Sequence, residues 1–249
     1  MAALESRVLM QALEDVSQRG WGLASGYVED AELQKLRRAT QSLFEQPGAL
    51  PDSQYFFDRQ GNDVPRLARV ERVAEAVLPE GLRARLQGHA DQCLGAPTRL
   101  FKDKLNIRYP RSKGYAPHQD AARWDAFGER FLSVGIFLSD SSPENGGFEF
   151  ASLPSEANGL KTQGDDLNVA DYHALPRVPL RARAGDVLLI DGMAPHRTTD
   201  NLGDDMVLHL LITFGTGGAP DARDRYYAHQ REMFDSVRTG NIFVFEPRT

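Results

Sequence analysis

A change in the period of the apolar residues occurs near the middle of the chain, in the segment Leu100-Phe101-Lys102-Asp103-Lys104-Leu105-Asn106-Ile107-Arg108-Tyr109. Successive side chains of a β-strand point to opposite faces, so a period of two separates an apolar face from a polar face. The apolar face carries Phe101, Leu105, Ile107 and Tyr109, and the polar face carries Lys102, Lys104, Asn106 and Arg108. Burying such polar groups is costly unless they line a wet cavity, so we expect the polar face to border a site.

The segments on either side of this strand predict different secondary structures. Upstream, helical spacing predicts helices within residues 4–16, 30–44, 67–77 and 82–90, and residues 46–64 predict a loop anchored by Tyr55, Phe56 and Phe57. Downstream, apolar runs predict strands within residues 131–139, 148–152, 187–191 and 206–214, and a helix within 221–234. Helices followed by strands favour a mainly β protein, a sandwich whose outer face is covered by helices.

The length of 249 residues is compatible with one domain. We expect a mostly helical cover over residues 1–98, a β core over residues 99–216, and a C-terminal helix and tail over residues 217–249. Residues 154–178 show no clear periodicity. Such a long irregular segment fits either a mobile lid over a site or plain disorder.

The composition narrows the classes of partner. The net charge is −6, and no arginine-rich stripe is present, so we expect no nucleic-acid binding. No apolar run is long enough for a membrane span, and the first residues do not resemble a signal peptide. The single cysteine, Cys93, excludes an internal disulfide framework and fits a reducing compartment. We therefore expect a cytoplasmic protein with a small-molecule partner, while its oligomeric state stays open.

A candidate metal site is formed by His118-Gln119-Asp120 and His196. A histidine and a carboxylate two residues apart on an extended chain point the same way, and a second imidazole from another strand can complete a three-ligand face. Two histidines and one carboxylate leave half of an octahedron open, which is typical of non-haem Fe(II) oxygenases rather than of closed structural zinc. Taken singly, each histidine is more often structural. We expect His89 to pack on its helix, His173 to lie in the possible lid, and His229 to lie on the surface of the C-terminal helix.

Several motifs in the same order resemble the phytanoyl-CoA dioxygenase-like branch of the Fe(II)/2-oxoglutarate-dependent oxygenases. They comprise residues 101–106, 114–120, Trp124, residues 145–147, 184–186, 194–201 and 225–227. The resemblance implies a double-stranded β-helix (a cupin-like jelly roll) with Fe(II) held by His118, Asp120 and His196 at its open mouth. It also implies 2-oxoglutarate as co-substrate and O₂ as oxidant, with oxidation of a C–H bond. Related halogenases replace the carboxylate, so Asp120 favours hydroxylation, desaturation or ring closure over halogenation.

The resemblance also implies roles for residues around the iron. Asn106 and Thr198 would contact 2-oxoglutarate, and Tyr115 would flank it. Trp124, together with Lys102 or Lys104, would contact the substrate. The alternative for Lys102 and Arg108 is that they are solvated charges at a strand end, because long cationic side chains readily reach solvent.

The chain departs from the family pattern at Val207. The family usually has an arginine at this place, eleven residues after the distal histidine, where it binds the far carboxylate of 2-oxoglutarate. Lys104, Arg108 and His209 are candidates to replace it. For His209 the alternative is a neutral imidazole in the core, hydrogen-bonded to backbone.

Three hypotheses about function follow. The first is an Fe(II)/2-oxoglutarate-dependent dioxygenase that hydroxylates or otherwise oxidises a small polar metabolite. The second is an Fe(II) oxygenase of the same fold in which the substrate itself, rather than 2-oxoglutarate, supplies the electrons. The third is a non-catalytic jelly roll that binds a ligand, which the intact set of three metal ligands disfavours.

Overall fold

The computed structural model describes residues 2–59, 64–152, 162–163, 166–233 and 237–245. The helices are α1 (Ala2–Arg19), α2 (Asp30–Glu45), α3 (Ala74–Val77), α4 (Glu80–Leu94), α5 (Val169–Ala174) and α6 (Ala222–Met233), and a 3-10 helix spans Asp120–Arg123. The first strands are β1 (Trp21–Ala24), β2 (Gln54–Asp58), β3 (Arg66–Glu71), β4 (Arg99–Arg108), β5 (Phe131–Phe137), β6 (Phe148–Ala151) and β7 (Thr162–Gln163). The remaining strands are β8 (Asp166–Leu167), β9 (Arg177–Pro179), β10 (Val187–Asp191), β11 (His196–Thr198), β12 (Val207–Gly215), β13 (Val237–Thr239) and β14 (Ile242–Phe245).

Two facing sheets form the core of the protein. The major sheet has nine strands in the order β1-β10-β5-β12-β4-β3-β2-β14-β13, and the minor sheet has the order β11-β6-β9. Neighbouring strands are antiparallel except β2 and β14, which are parallel. This mostly antiparallel double-sheet arrangement with covering helices confirms the predicted jelly-roll fold class.

The helices pack against the outer face of the major sheet. In the registered pair β4 and β12, Leu105 lies opposite Leu210 and Ile107 lies opposite Leu208. Leu105, Ile107 and Leu210 share one apolar cluster with Leu82 and Leu86 of α4. Burial of each such side chain contributes roughly 1.5–3 kcal/mol to the hydrophobic free energy that stabilises the fold. Among the described helices, none combines the length and the apolar character that crossing a lipid bilayer requires.

The inner face of the major sheet changes in character from one side to the other. Leu188 and Ile190 of β10 form an apolar cluster with residues of the minor sheet, where Trp21 stacks on Phe150 with ring centroids 4.6 Å apart. On β4 the inner face is polar, because Lys102, Lys104, Asn106 and Arg108 lie opposite Thr213, Leu211, His209 and Val207. The chain thus builds a closed apolar end and a polar end within one inter-sheet space.

A β-bulge in β3 explains one departure of the structure from the sequence-based expectations. The helix predicted within residues 67–77 is instead strand β3 followed by the short α3. In β3 the residue Ala68 has no partner on β2, since Phe57 pairs with Leu67 and Phe56 with Arg69. This extra residue brings Leu67 and Val70 to the same face at a spacing of three, which imitates helical periodicity.

The predicted domain segments contain more strands than expected. Strands β1, β2 and β3 lie within the segment expected to be a helical cover, and the predicted loop over 46–64 contains β2. The C-terminal segment holds α6 as predicted, and β14 then pairs with β2. Of the candidate lid over 154–178, residues 154–161 and 164–165 lie outside the described residues, and the rest forms β7, β8, α5 and part of β9.

Candidate metal centre and active site

Side chains from two distant segments, residues 118–120 and His196, meet between the two sheets. The potential ligand atoms of His118, Asp120 and His196 all lie within 4.8 Å of one another, and no other such group occurs among the described residues. His118 Nε2 is 3.7 Å from Asp120 Oδ1, and the ring centroids of His118 and His196 are 4.3 Å apart. This is the cluster predicted from the His-X-Asp triplet and the distal histidine.

Backbone hydrogen bonds fix the two imidazoles. The amide of His118 donates to the carbonyl of His196 over 2.9 Å, and the amide of His196 donates back over 3.0 Å. The Nδ1 atom of His118 lies 2.8 Å from the carbonyl oxygen of Ala116, and the Nδ1 atom of His196 lies 2.9 Å from that of Ala194. A carbonyl oxygen only accepts, so Nδ1 carries the proton in both rings, and each Nε2 keeps its lone pair for a metal.

The carboxylate is held from the opposite sheet. Asp120 begins the 3-10 helix, and its Oδ2 accepts a hydrogen bond of 3.4 Å from Ser133 on β5. The hydroxyl groups of Ser133 and Thr213 are 2.9 Å apart, which links this carboxylate to β12. The triad therefore bridges the minor sheet, through His196, and the major sheet, through Asp120.

The electrostatics of the triad suit a divalent cation. Burial, reinforced by repulsion from His196, lowers the pKa of His118 to about 4, so its ring is neutral at physiological pH. Burial alone would raise the pKa of Asp120, but attraction from His196, His118, Lys104 and Lys102 outweighs it and lowers the pKa. The neutral ring of His118 and the ionised carboxylate of Asp120 are in the protonation states that metal binding requires. The donor set fits Fe(II), and three protein ligands leave positions open for small molecules.

Two lysines of β4 lie beside the metal centre. Lys102, Lys104, Asp120, Trp124 and Thr213 are among the residues that line a narrow cavity beside the triad. Neither ammonium group forms an ion pair with a carboxylate among the described residues. Burial, followed by repulsion from Lys102, lowers the pKa of Lys104 to about 8. The expectation that this polar face borders the site agrees with the structure, in which Lys102 and Lys104 are largely shielded from solvent.

Aromatic rings surround the ammonium group of Lys102. The Nζ atom of Lys102 lies 5.4 Å from the ring centroid of Trp124 and 5.1 Å from that of Tyr226. Both rings belong to a buried aromatic cluster that also contains Phe101 and Phe131. Phe101 joins this cluster rather than the helix-covered core because the register of β4 and β12 shifts between Thr213 and Phe214. Cation–π contacts partly replace the hydration that Lys102 loses.

Positive charge exceeds negative charge on this inner face. Glu71 of β3 lies opposite Lys104, and it pairs with Arg69 through a contact of 2.9 Å. The cations here are Arg69, Lys102, Lys104 and Arg108, and the described carboxylates that interact with them are Glu71, Asp120 and Asp200, of which Asp200 already pairs with Lys113. A bound divalent metal would increase this excess. The site is therefore suited to anionic small molecules.

The residues expected around the co-substrate lie on or close to this face: Asn106 is on β4, Tyr115 is in a loop, and Thr198 is on β11 of the minor sheet. The hydroxyl of Thr198 on β11 accepts a hydrogen bond of 2.9 Å from the amide of Tyr115. The ring centroid of Tyr115 lies 5.8 Å from Lys104 Nζ and 4.8 Å from Arg108 Cζ. Asn106 is buried, and its side-chain carbonyl has no hydrogen-bond partner among the described residues. Such an unsatisfied buried oxygen is consistent with a ligand contact.

His209 lies in an apolar part of the inner face. Its ring is flanked by Phe137 and Phe148, with centroids 5.1 and 5.3 Å away, and its Nε2 is 3.1 Å from the hydroxyl of Ser141. Burial, together with repulsion from Arg108, lowers the pKa of His209 to about 3. A neutral imidazole is therefore the state that this position favours.

Replacing His209 with phenylalanine is expected to reduce the sensitivity of the protein to acid. In the unfolded wild type His209 takes up a proton below about pH 6.5, whereas in the folded protein it does so only near pH 3. The free energy of unfolding therefore decreases as the pH is lowered between these two values. Between pH 6 and pH 5 the wild type should lose about 1 kcal/mol more than the variant. Urea denaturation at both pH values measures this difference, and equal losses would contradict it.

Three residues at the site were given no role there by the sequence analysis, although Tyr226 lies within the motif at residues 225–227. Ser133 donates a hydrogen bond to Asp120, and Glu71 places a buried negative charge opposite Lys104. The ring of Tyr226 forms one wall of the pocket around the ammonium group of Lys102. The only signal for Ser133 was a polar residue inside an apolar strand. Glu71 and Tyr226 come from distant segments, and only the pairing of strands and the packing of α6 bring them to the site.

Comparison with known proteins identifies relatives along most of the chain. A family model described as phytanoyl-CoA dioxygenase (PhyH) matches residues 17–206. A methylphosphonate hydroxylase from Gimesia maris is 28% identical over 91% of this chain and 88% of its own length. A 2-aminoethylphosphonate dioxygenase from an uncultured bacterium is 28% identical over 84% of this chain and 82% of its own length.

A solved structure shares the fold. The crystal structure of EctD from S. alaskensis, with 2-oxoglutarate and 5-hydroxyectoine, superposes with a TM-score of 0.65 at 17% sequence identity. The match covers 82% of this chain and 74% of that chain. This similarity concerns the arrangement of helices and strands around the two sheets.

Proposed function

Since the chain belongs to the phytanoyl-CoA dioxygenase family, we propose that it is an Fe(II)- and 2-oxoglutarate-dependent dioxygenase that hydroxylates a small organophosphonate. It is an oxidoreductase of the dioxygenase class, in agreement with the expectation from its sequence motifs. The single observation that carries the finer assignment is the pair of half-buried lysines, Lys102 and Lys104, next to the candidate metal centre.

The charge of the site supports an anionic substrate. A phosphonate group carries up to two negative charges, and two ammonium groups that lack carboxylate partners among the described residues would compensate them. The two relatives reported above act, by their names, on methylphosphonate and 2-aminoethylphosphonate, which are both small anions. A phosphonate held by Lys102 and Lys104 would place its carbon near Asp120, and therefore near the metal.

The protein would contribute binding and orientation. His118, Asp120 and His196 would hold Fe(II), which when bound supplies the activation of O₂ at the expense of 2-oxoglutarate. In the overall reaction one oxygen atom enters succinate, with release of CO₂, and the other becomes the hydroxyl group on the substrate carbon. Ser133 would keep Asp120 in its ligating orientation, and the rings of Trp124 and Tyr226 would exclude water from one side of the cavity.

Turnover assays with defined substrates test this proposal. We expect the Fe(II)-loaded protein, with 2-oxoglutarate and O₂, to form succinate and a hydroxylated product from methylphosphonate or 2-aminoethylphosphonate. The matched carboxylates acetate and β-alanine serve as controls for the phosphonate group. Product formation without 2-oxoglutarate and without succinate would favour the alternative of an oxygenase driven by its own substrate. Equal rates with carboxylates and phosphonates would contradict the substrate class.

Replacing Lys104 with methionine is expected to weaken substrate binding selectively. Loss of a charge-assisted hydrogen bond, worth about 1.5–3 kcal/mol, corresponds to a rise of roughly 10- to 150-fold in the KM for the phosphonate. The KM for 2-oxoglutarate should change less than threefold. Steady-state kinetics with each substrate varied in turn separate the two effects, and Lys35→Met, which removes an exposed lysine of α2, is the control. A rise confined to the KM for 2-oxoglutarate would reassign Lys104.

A further inference from the structure

The arginine that family members place at residue 207 has a counterpart on the neighbouring strand. We propose that Arg108 of β4 binds the distal carboxylate of 2-oxoglutarate, an inference that rests on the proposed function. Val207 and Arg108 are direct partners in the antiparallel register of β12 and β4. Side chains of such partners share a face and have Cβ atoms about 4.5–5.5 Å apart. A guanidinium group from residue 108 can therefore occupy the space that one from residue 207 would occupy.

Arg108 interacts electrostatically with Asp200, but that carboxylate is paired with Lys113, so Arg108 has no ion-pair partner of its own among the described residues. The residue is only 4% exposed, and it forms no ion pair with a carboxylate among the described residues. One guanidinium nitrogen donates to the carbonyl of Lys113, whereas Nε is buried and has no hydrogen-bond partner in the described part of the chain. Burial of an unpaired cation is unfavourable unless an anion joins it. The position of Arg108 thus indicates an anionic ligand.

Neighbouring residues connect Arg108 to the metal centre. The guanidinium lies over the ring of Tyr115, whose amide donates to the hydroxyl of Thr198. Thr198 is two residues beyond the metal ligand His196 on β11, about 7 Å along the strand. The side chain of Arg108 also packs against Gly146, where a Cβ atom would lie 3.5 Å from that of Arg108. A dicarboxylate that begins at the metal and passes Thr198 would end near this guanidinium.

The other cationic candidates on this face have different surroundings. His209 bonds to Ser141 between two phenylalanine rings and is neutral at physiological pH. Arg69 pairs with Glu71. Lys102 and Lys104 line the cavity beside Asp120, at the position proposed for the phosphonate. Arg108 is therefore the cation of this face whose geometry and charge are best suited to the co-substrate's distal carboxylate.

An anaerobic titration of the Fe(II)-loaded protein measures this interaction without turnover. The visible charge-transfer band of the chelate reports the Kd for 2-oxoglutarate and for 2-oxopentanoate, which lacks the distal carboxylate. In the wild type we expect 2-oxoglutarate to bind at least 30-fold more tightly than 2-oxopentanoate, as a charge-assisted pair provides. In Arg108→Met we expect the Kd for 2-oxoglutarate to rise roughly 30- to 100-fold and this preference to disappear.

Two further variants keep the test decisive. The exchange variant Arg108→Val/Val207→Arg should recover most of the lost affinity, because it returns the guanidinium to the same space from the opposite strand. Lys35→Met removes an exposed cation of α2, away from this site, and should leave both Kd values unchanged. Metal-free Arg108→Met should unfold at a Tm equal to or above that of the wild type, because it loses an uncompensated buried charge. A purely structural Arg108 would instead lower the Tm.

The outcomes separate this inference from the proposed function. An unchanged Kd for 2-oxoglutarate in Arg108→Met, with a normal band, would overturn the role of Arg108 and leave the dioxygenase assignment intact. A loss of affinity for methylphosphonate but not for 2-oxoglutarate would also overturn it. Absence of any band in the wild type, with bound iron measured independently, would instead contradict the proposed use of 2-oxoglutarate.

Discussion

Replacement of Asp120 by alanine is expected to abolish measurable turnover. Asp120 is the only anionic member of the metal triad, and its charge offsets the lysines beside it. Removing a group that merely orients a metal ligand costs roughly 10- to 100-fold, so losing the ligand itself should cost on the order of 1000-fold or more. Succinate formation in the presence of a phosphonate substrate measures the loss, and equilibrium dialysis measures the accompanying fall in Fe(II) affinity.

The control for this variant is Asp125→Ala. Asp125 is exposed, lies five residues further along the chain, and its carboxylate accepts only the amide of Ala126 in the described structure. Its replacement should leave both turnover and Fe(II) affinity within twofold of the wild type. Substantial turnover by Asp120→Ala would show that the metal does not bind at this triad.

Replacement of Asp103 by alanine is expected to lower the free energy of unfolding by about 3–5 kcal/mol, because it removes a fully buried carboxylate from a largely buried ion pair. The carboxylate of Asp103 accepts the amides of Val73 and Ala74 at the start of α3, and it pairs with Arg223 of α6. The backbone of the same residue exchanges two hydrogen bonds of 3.0 Å with the hydroxyl of Tyr227. Asp103 thus joins the central strand β4 to two helices, one of which supplies Tyr226 to the lysine pocket.

Urea denaturation at neutral pH measures this loss. The double variant Asp103→Ala/Arg223→Met should be less destabilised than the sum of the two single variants, because both partners of the pair are then removed. Glu75→Gln removes the second, half-exposed partner of Arg223 and should cost less than about 1 kcal/mol. A loss below about 1 kcal/mol for Asp103→Ala would show that this buried pair does not stabilise the fold.

The fold class and the metal ligands were predictable because their signals are local or rest on residue type. The period of two in residues 100–109 separated Lys102 and Lys104 from Leu105 and Ile107, and the structure places these two sets on opposite faces of β4. The His-X-Asp triplet and the distal histidine likewise specify the ligands without knowledge of the path between them.

The helix predicted within residues 67–77 was wrong because a β-bulge at Ala68 changed the local spacing. A bulge places two apolar residues of a strand three positions apart, which a sequence pattern cannot distinguish from one helical turn. The loop predicted over residues 46–64 failed for a related reason, since β2 is a strand only through its partners β3 and β14. One of these partners, β14, lies far from β2 in the sequence.

By itself, the sequence predicted the jelly-roll class, the three candidate metal ligands and the polar face of β4, since residue type and spacing are sufficient for each prediction. It left open which cation replaces the missing arginine and whether His209 is charged. Both depend on register and burial: the structure pairs Arg108 with Val207 and encloses His209 between aromatic rings. The tertiary structure decides such questions because the charge of a group depends on the dielectric and the partners that distant segments bring to it.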